Sequence, residues 1–209
     1  MPKKSENIPE QQLAEIRVAY STLKNVIESI CPITESDWQQ LETNSVIKRY
    51  KKNEVLLQTN TRSSHVWFVA QGLVRNFYTT EAGKEFNKSF IASPSFFGSM
   101  LAIVNNEASR FTIEALEDTL CVAISIDWFR KVSQSNVVFK TLALILAQQL
   151  AIKKEQREAE LLLDDASTRY LNFIEESPSL ERRIPAYHIA SYLGITEVAL
   201  SRTKAKLKS

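Results

Sequence analysis

Ile184-Pro185-Ala186-Tyr187-His188-Ile189-Ala190-Ser191-Tyr192-Leu193-Gly194-Ile195-Thr196-Glu197-Val198-Ala199-Leu200-Ser201-Arg202 reads as two short helices joined by a tight turn. Ile189 and Leu193, four residues apart, form one apolar face, and the small Ala190 lets a second helix approach closely. Gly194 supplies the left-handed residue that ends the first helix, and Thr196 supplies the side-chain oxygen that starts the next. Leu200 then returns to pack on the first helix. The predicted second helix carries Arg202, Lys204, Lys206 and Lys208 at exposed positions, with Thr196, Glu197 and Ser201 on its leading turns. A cationic rod of this kind fits the major groove of double-stranded DNA. Phosphate neutralisation supplies affinity, and Arg202 forked onto a guanine edge would add about 1–3 kcal/mol of discrimination. His188 is expected at the surface of the first helix, with no special role.

The charge of the chain is gathered here. Over 209 residues the formal net charge is only +2, yet from Arg182 to Ser209 six bases stand against one acid, Glu197. Arg182 and Arg183, just ahead of the motif, are further candidates for the DNA backbone. Toward the N-terminus, no glycine or proline occurs between Ile126 and Ser177, so the stretch can hold a very long helix. Val138, Leu142, Ile145, Gln149, Ile152, Gln156, Ala159 and Leu163 follow one another at alternating steps of four and three, a heptad seam that implies a partner helix. Gln149 and Gln156 would pair with their own copies across a two-fold axis, avoiding the roughly 1–3 kcal/mol of an unsatisfied buried amide. A homodimer is therefore expected, with Leu142→Asp as its disruptor. A second row, Phe139, Ala143, Leu146 and Leu150, is placed to pack back on the preceding domain. A further short helix runs from Asp165 to about Glu176 and ends at Pro178.

From Val46 to Ile126 the apolar period changes to two. Val55-Leu56-Leu57, Val66-Trp67-Phe68-Val69, Leu73-Val74-Arg75-Asn76-Phe77-Tyr78 and Leu120-Cys121-Val122-Ala123-Ile124 read as strands, with Gly72 and Gly83 at turns. About eight antiparallel strands make a sandwich or barrel. Ahead of it, Leu13, Ile16, Tyr20, Leu23, Val26 or Ile27, and Ile30 form one helical stripe, and Thr34 opens a second short helix through about Asn44. Residues 1–9 read as a frayed arm. The fold class is α+β, divided into a helical arm (1–45), a β-roll sensor (46–126), a linker and dimerisation helix (127–163) and a helix-turn-helix domain (164–209).

Composition narrows the chemistry. With 44% apolar and 24% charged residues the chain is ordinary globular material, and no run of about 18 uncharged apolar residues or signal-peptide core appears, which places it in the cytoplasm without a membrane partner. Cys31 and Cys121 are too few for a disulfide framework or a four-thiolate cluster and read as small buried apolar residues. His65 and His188 are the only histidines, too few for a metal-dependent barrel enzyme, and no nucleophile–base pair stands out. Neither an enzyme nor a cofactor protein is indicated.

The order of parts, together with Gly72, the turn Glu81-Ala82-Gly83-Lys84-Glu85, the segment Phe96-Phe97-Gly98 and the later Ile189, Gly194, Thr196 and Arg202, resembles the cyclic-AMP-receptor/FNR (CRP/FNR) family of transcription regulators. The likeness runs from about Val46 to Leu207 and looks close to short members that stop just after the recognition helix, so backbone contacts would lean on Arg182 and Arg183. It implies a cyclic-nucleotide-binding-like jelly roll, a dimer on DNA and RNA polymerase as a further partner. It also implies a ligand pocket around Phe97, Gly98, Ser99, Met100, Ser109 and Arg110. A functioning cyclic-nucleotide cassette resembling the family's would carry a glutamate where this chain has Ser99 and an arginine where it has Ser109, with Arg110 displaced by one. In a strand that displacement turns the side chain to the opposite face. Cyclic AMP is thus not expected in the usual way, which leaves an unidentified small effector or a filled pocket. A signalling or adaptor module that binds protein would share the roll and the long helix; the basic tail is what separates the two readings.

Overall fold

The structure is a computed structural model that describes residues 9–207; the first eight residues of the expected arm, and Lys208, lie outside the described residues. Helix α1 (Glu10–Ile30) buries Ala19, Leu23 and Ile27, spaced by four, and α2 (Glu35–Thr43) starts where Thr34 Oγ1 accepts the Asp37 amide at 3.1 Å. Eight strands follow: β1 (Ser45–Tyr50), β2 (Val55–Leu57), β3 (His65–Gln71), β4 (Leu73–Thr79), β5 (Glu85–Ala92), β6 (Ser95–Phe97), β7 (Thr112–Ala115) and β8 (Thr119–Ser125). They form two four-stranded antiparallel sheets, ordered β1-β8-β3-β6 and β2-β7-β4-β5, the expected jelly roll. Gly72 makes the β3–β4 turn at φ +111°, and a Cβ there would strike the Thr119 backbone at 2.8 Å, so no other residue fits.

After the roll come α3 (Ile126–Ser135), α4 (Val137–Leu163), α5 (Ala166–Glu176), the short α6 (Leu180–Arg183), α7 (Ala186–Leu193) and α8 (Glu197–Lys206). The stretch without glycine or proline is not one helix: α3 and α4 meet at 111°. Asn136 makes the break, leaving helical backbone while its Oδ1 accepts the Val138 and Phe139 amides, and its Nδ2 donates to Asp37 Oδ1 at 2.7 Å. An Asn side chain can therefore start a helix in mid-run, which apolar periodicity does not reveal. Among the described residues no single helix is long and apolar enough to cross a membrane.

Three apolar cores share the two sheets. One fills the roll, with Trp67, Val69, Val74, Phe97, Phe111, Ile113 and Cys121 facing one another. A second lies outside the first sheet, where α1, α3 and α4 cover Val66, Phe68, Val122 and Ile124. Each fully buried aliphatic or aromatic side chain there is worth about 1.5–3 kcal/mol. The third lies outside the second sheet: Leu73, Phe90, Ala92 and Leu116 of the roll pack against Tyr170, Phe173, Leu180, Ile184, Ile189, Ala190 and Leu193. The C-terminal helices are therefore seated on the roll, and β4 and β5 carry the interior on one face and the C-terminal unit on the other. Cys31 and Cys121 are both buried free thiols, and burial pushes the Cys121 thiol up to about 12, beyond ordinary reactivity.

The seam on α4 needs correction at its start. Leu142 is 1% exposed and packs, with Phe139, into the core over the first sheet; Val138 packs there too. Phe139, Ala143 and Leu146 take the inward position expected of the second row, and α4 is wide enough that Leu142 shares it. The stripe becomes free only lower down: Gln149, Ile152, Gln156, Ala159 and Leu163 are exposed.

Candidate nucleic-acid interface and effector pocket

The turn between α7 and α8 is built as its residue types dictate. Gly194 sits at φ +70°, the Ile195 amide reaches back to the Ala190 carbonyl at 3.0 Å, and Thr196 Oγ1 accepts the Ala199 amide at 3.2 Å. Leu200 and Thr203 are buried against α5 and α7. That leaves Thr196, Glu197, Val198, Ser201, Arg202, Ala205 and Lys206 on the outward side of α8, with Arg182 also exposed. Ser201 and Arg202 follow Glu197 and Val198 by one turn, so they share that face.

Two basic residues expected on DNA are instead engaged within the protein. Lys204 Nζ pairs with Glu181 Oε1 at 2.9 Å and lies 5.5 Å from the centre of the Tyr170 ring, whose hydroxyl donates to the same carboxylate. It holds α8 to α6 and is half-buried rather than exposed. Arg183 spans to the roll, where Nη2 meets Glu117 Oε1 at 2.5 Å and the Gly72 carbonyl at 3.2 Å. Both departures share a cause: a carboxylate from a neighbouring element lies within reach, and a charge-assisted hydrogen bond outcompetes solvent.

His188 is a further correction. It is buried at 5% exposure because α7 lies against β5, and its Nδ1 receives Asn87 Nδ2 at 3.0 Å and Arg75 Nη1 at 3.3 Å. Two donors on one ring nitrogen require that nitrogen to be unprotonated, so the imidazole is neutral. Burial first, and the Arg75 guanidinium second, hold its pKa down to about 4. Arg75 itself is buried and paired with Glu85 at 2.6 Å and Glu114 at 2.9 Å. Asn87 also donates from its backbone to Ser191 Oγ at 3.0 Å. From the other side, Arg157 of α4 covers the Tyr192 ring at 4.0 Å and bonds the Tyr192 carbonyl, while Arg169 donates to the Leu193 carbonyl at 3.0 Å. Two guanidiniums thus meet the negative C-terminal end of α7.

In the roll, Phe97 stacks on Trp67 with ring centres 5.7 Å apart, and both belong to the interior core. Ser99 is buried and its hydroxyl faces the Ala102 amide. Ser109 is fully buried, its Oγ donating to the Phe111 carbonyl at 2.8 Å. Met100 and Arg110 are exposed, Arg110 standing near Tyr78. Met100 opens a π-turn, Leu101–Asn105, whose terminal carbonyls at Ala102 and Ile103 are taken by Arg130 of α3. Arg130 had no signature in sequence, since it lies beyond the roll and reaches this turn only through the fold.

A jelly roll, a long helix and a capped helix-turn-helix follow one another along the chain, with Arg202 and Lys206 on the exposed side of α8. Residues 47–136 match the family model of the cyclic nucleotide-binding domain. The fold is similar to FixK2 from Bradyrhizobium japonicum (TM-score 0.70, 19% identity, covering 78% of this chain and 84% of that one). It is also similar to a CooA double mutant from Carboxydothermus hydrogenoformans (0.67, 22%, 84% and 81%). A third likeness is the c-di-GMP-responsive global regulator CLP from Xanthomonas campestris (0.64, 14%, 81% and 89%). By sequence, the chain is 24% identical over 86 residues to cyclic GMP-binding protein C of Dictyostelium discoideum, 41% of this chain and 3% of that protein's length.

Proposed function

We propose that the protein is a cytoplasmic, sequence-specific DNA-binding transcription regulator that acts as a homodimer. Its β-roll answers to a small effector other than cyclic AMP held in the usual way. The observation that carries this reading is the outward face of α8: a capped helix presents Thr196, Glu197, Ser201, Arg202 and Lys206 to solvent while its opposite side is buried. Support for the dimer comes from the lower half of α4, where Ile152 is 57% and Leu163 81% exposed along one stripe with Gln149, Gln156 and Ala159. Apolar surface of that kind is stabilised by a second copy. Two α8 helices on a two-fold axis would meet half-sites roughly 34 Å apart. Support for a departure from cyclic-nucleotide chemistry comes from the turn, where Ser99 and Ser109 are spent on their own backbone and Arg110 faces outward. RNA polymerase is the further partner that the family likeness suggests.

Selecting bound fragments from a genomic library tests the reading. The expected result is a recurrent two-fold-symmetric site whose retention is lost in Arg202→Ala. Recovery of unrelated fragments, equally well retained by Arg202→Ala, would favour a protein-binding adaptor instead. Sedimentation of Ile152→Asp tests the dimer: the variant should run as a monomer at tens of micromolar, and an unchanged dimer would refute the α4 seam.

A further inference from the structure

The two faces of β1 are unlike. Ile47 and Arg49 look outward, Ile47 into the core beneath α1 and Arg49 to Glu15 of α1 at 3.0 Å. Lys48, between them, turns the other way. Its ladder partner is the fully buried Cys121, beyond which stands Val69 of β3, so the side chain leaves along the inner face of the first sheet and is half-buried. There it meets the loop from Gln58 to Ser64, and the two border a cavity of about 200 Å³. Arg62 and His65 line the same cavity, with Ser64 Oγ 2.7 Å from His65 Nδ1 and the buried Trp67 as its inner wall. The loop is fixed from behind. Asn60 takes a left-handed φ of 61°, its amide donates to the Ser109 carbonyl at 2.7 Å, and the Ser109 amide donates to the Thr61 carbonyl at 2.9 Å. The charge of the cavity is one-sided: no lining residue is an acid, and neither Lys48 nor Arg62 has a carboxylate partner among the described residues. Glu54, the one acid between Lys48 and Ser64 in sequence, accepts the Lys51 amide at 2.8 Å. Burial first, and the Lys48 charge second, lower the His65 pKa, so an ammonium without a counter-ion acts on that ring. Trp67 Nε1–H also lacks an acceptor, the nearby Tyr50 hydroxyl being out of bonding geometry. Two cations, an imidazole and a hydroxyl around a preformed cavity without an acid are the donor set of an oxyanion site.

We propose that this cavity, between β1 and the loop that leads into β3, binds the phosphate group of a small polar phosphomonoester. Lys48 and Arg62 take the charge, and Ser64 and His65 donate to the remaining phosphate oxygens. The planar fork of Arg62 matches two of those oxygens, whereas Lys48 supplies a point charge that solvent screens less because the side chain is half-buried. Gln58 is left for hydroxyls of the ester. None of the lining residues belongs to α4, to the segment from Ser99 to Arg110 or to α8, so the site is separate from the DNA-reading face and from the turn described above. It stands whether or not the regulator reading holds.

Titration of the full-length protein with glycerol 3-phosphate at constant ionic strength, followed by amide and imidazole chemical shifts, is the test. Saturable shifts are expected at Lys48, Ser64 and His65 with a constant on the order of 1 mM. The His65 pKa should rise on binding, because a dianion favours the imidazolium. Lys48→Met should weaken binding about tenfold and raise the His65 pKa of the free protein, while Lys48→Arg should keep most of the binding. Arg62→Met should weaken it by up to about fivefold, being more exposed. Arg49→Met, one residue along the strand but on its opposite face, should leave it unchanged. Spectral dispersion of every variant reports that the fold is kept. Inorganic phosphate identifies the source of the group: a weaker constant than the ester's assigns a phosphomonoester, a tighter one assigns free phosphate, and both keep the site. No saturable shift up to about 50 mM glycerol 3-phosphate, well beyond a millimolar constant, would overturn it. So would equal shifts with chloride at the same ionic strength, or binding that Lys48→Met leaves unchanged or that Arg49→Met weakens as much. DNA retention measured in parallel keeps the two ideas apart: ester binding without any selected operator leaves the site and removes the regulator reading, and operator retention without ester binding removes the site alone.

Discussion

Arg202, Lys204 and Lys206 follow one another along α8 at alternate positions, yet they differ, because Lys204 is half-buried against the Glu181 carboxylate while Arg202 and Lys206 are exposed. Arg202→Ala should weaken binding to a selected operator by about 1–3 kcal/mol and affect random DNA much less. Lys206→Ala should weaken both to a similar degree and lower the slope of affinity against salt by about one. Lys204→Ala should change neither, but it removes the ion pair with Glu181 and should cost up to about 1 kcal/mol of stability. Anisotropy titrations at several salt concentrations, with a melting curve for each variant, check all three, and an equal loss in every variant would contradict the division. Leu142 makes the same point in the core. Its place in the heptad was legible in sequence, but its neighbour was not: periodicity tells which residues share a stripe, not which of two surfaces covers it. At 1% exposure within its own chain, Leu142→Ala should cost about 2–5 kcal/mol in unfolding free energy while sedimentation still shows the dimer. A monomer of unchanged stability would restore Leu142 to the partner-facing seam.

The helix α7 illustrates what an element conceals from a reading of its own sequence. Its caps, its turn and its packing on α8 follow from Ile189, Leu193, Gly194 and Thr196, all within a few residues. Its other face is decided by β4 and β5, about a hundred residues earlier, through Arg75, Glu85 and Asn87. Nothing near His188 in sequence announces those partners, and Arg75 in mid-strand reads as a solvent-facing charge until α7 covers it. The seat of α7 is expected to weaken in acid. The groups facing His188 are Arg75, Asn87 and, through Arg75, Glu85 and Glu114, with Tyr187 stacked beside it at 4.0 Å. In the docked state the imidazole holds out against a proton down to about 4, whereas a released imidazole takes one near its ordinary 6.5. Docking stability contributed by the neutral ring is therefore present above about 6.5 and lost as pH falls toward 4, by an amount on the order of 1–3 kcal/mol. Hydrogen exchange of the α7 amides should accelerate across that window in the native protein and much less in His188→Gln. A profile that is flat, or identical in the two proteins, would count against the buried neutral ring.

At the scale of the whole molecule, one strand pair serves two cores. Along β4, Val74 and Asn76 face the interior of the roll, while Leu73 and Arg75 face the C-terminal helices; along β5, Ile91 faces inward and Phe90 outward. The alternation was legible, but its consequence was not, because a strand pattern that reads as half-buried leaves open what covers the other face. It follows that the C-terminal helices are held to the roll by the apolar contacts of Leu73, Phe90, Ala92 and Leu116 together with the arginine bridges. Phe90 is central among them, its ring 5.3 Å from Tyr192 and 6.3 Å from Phe173. Removing that ring takes away the aromatic cluster while leaving the interior of the roll, packed by Ile91 and Val74, untouched. A full Phe→Ala truncation costs about 3–5 kcal/mol in a closed core, and the half-buried Phe90 should lose somewhat less, about 2 kcal/mol. If the roll and the C-terminal helices are separate cores joined by this contact, Phe90→Ala should split thermal unfolding into two transitions. The earlier one belongs to α5–α8 and the later one to the roll at nearly its original temperature. A single transition, shifted as a whole, would mean that the two units fold as one body, and any effector signal would then have to travel through the roll as a rigid piece instead of through the release of α7.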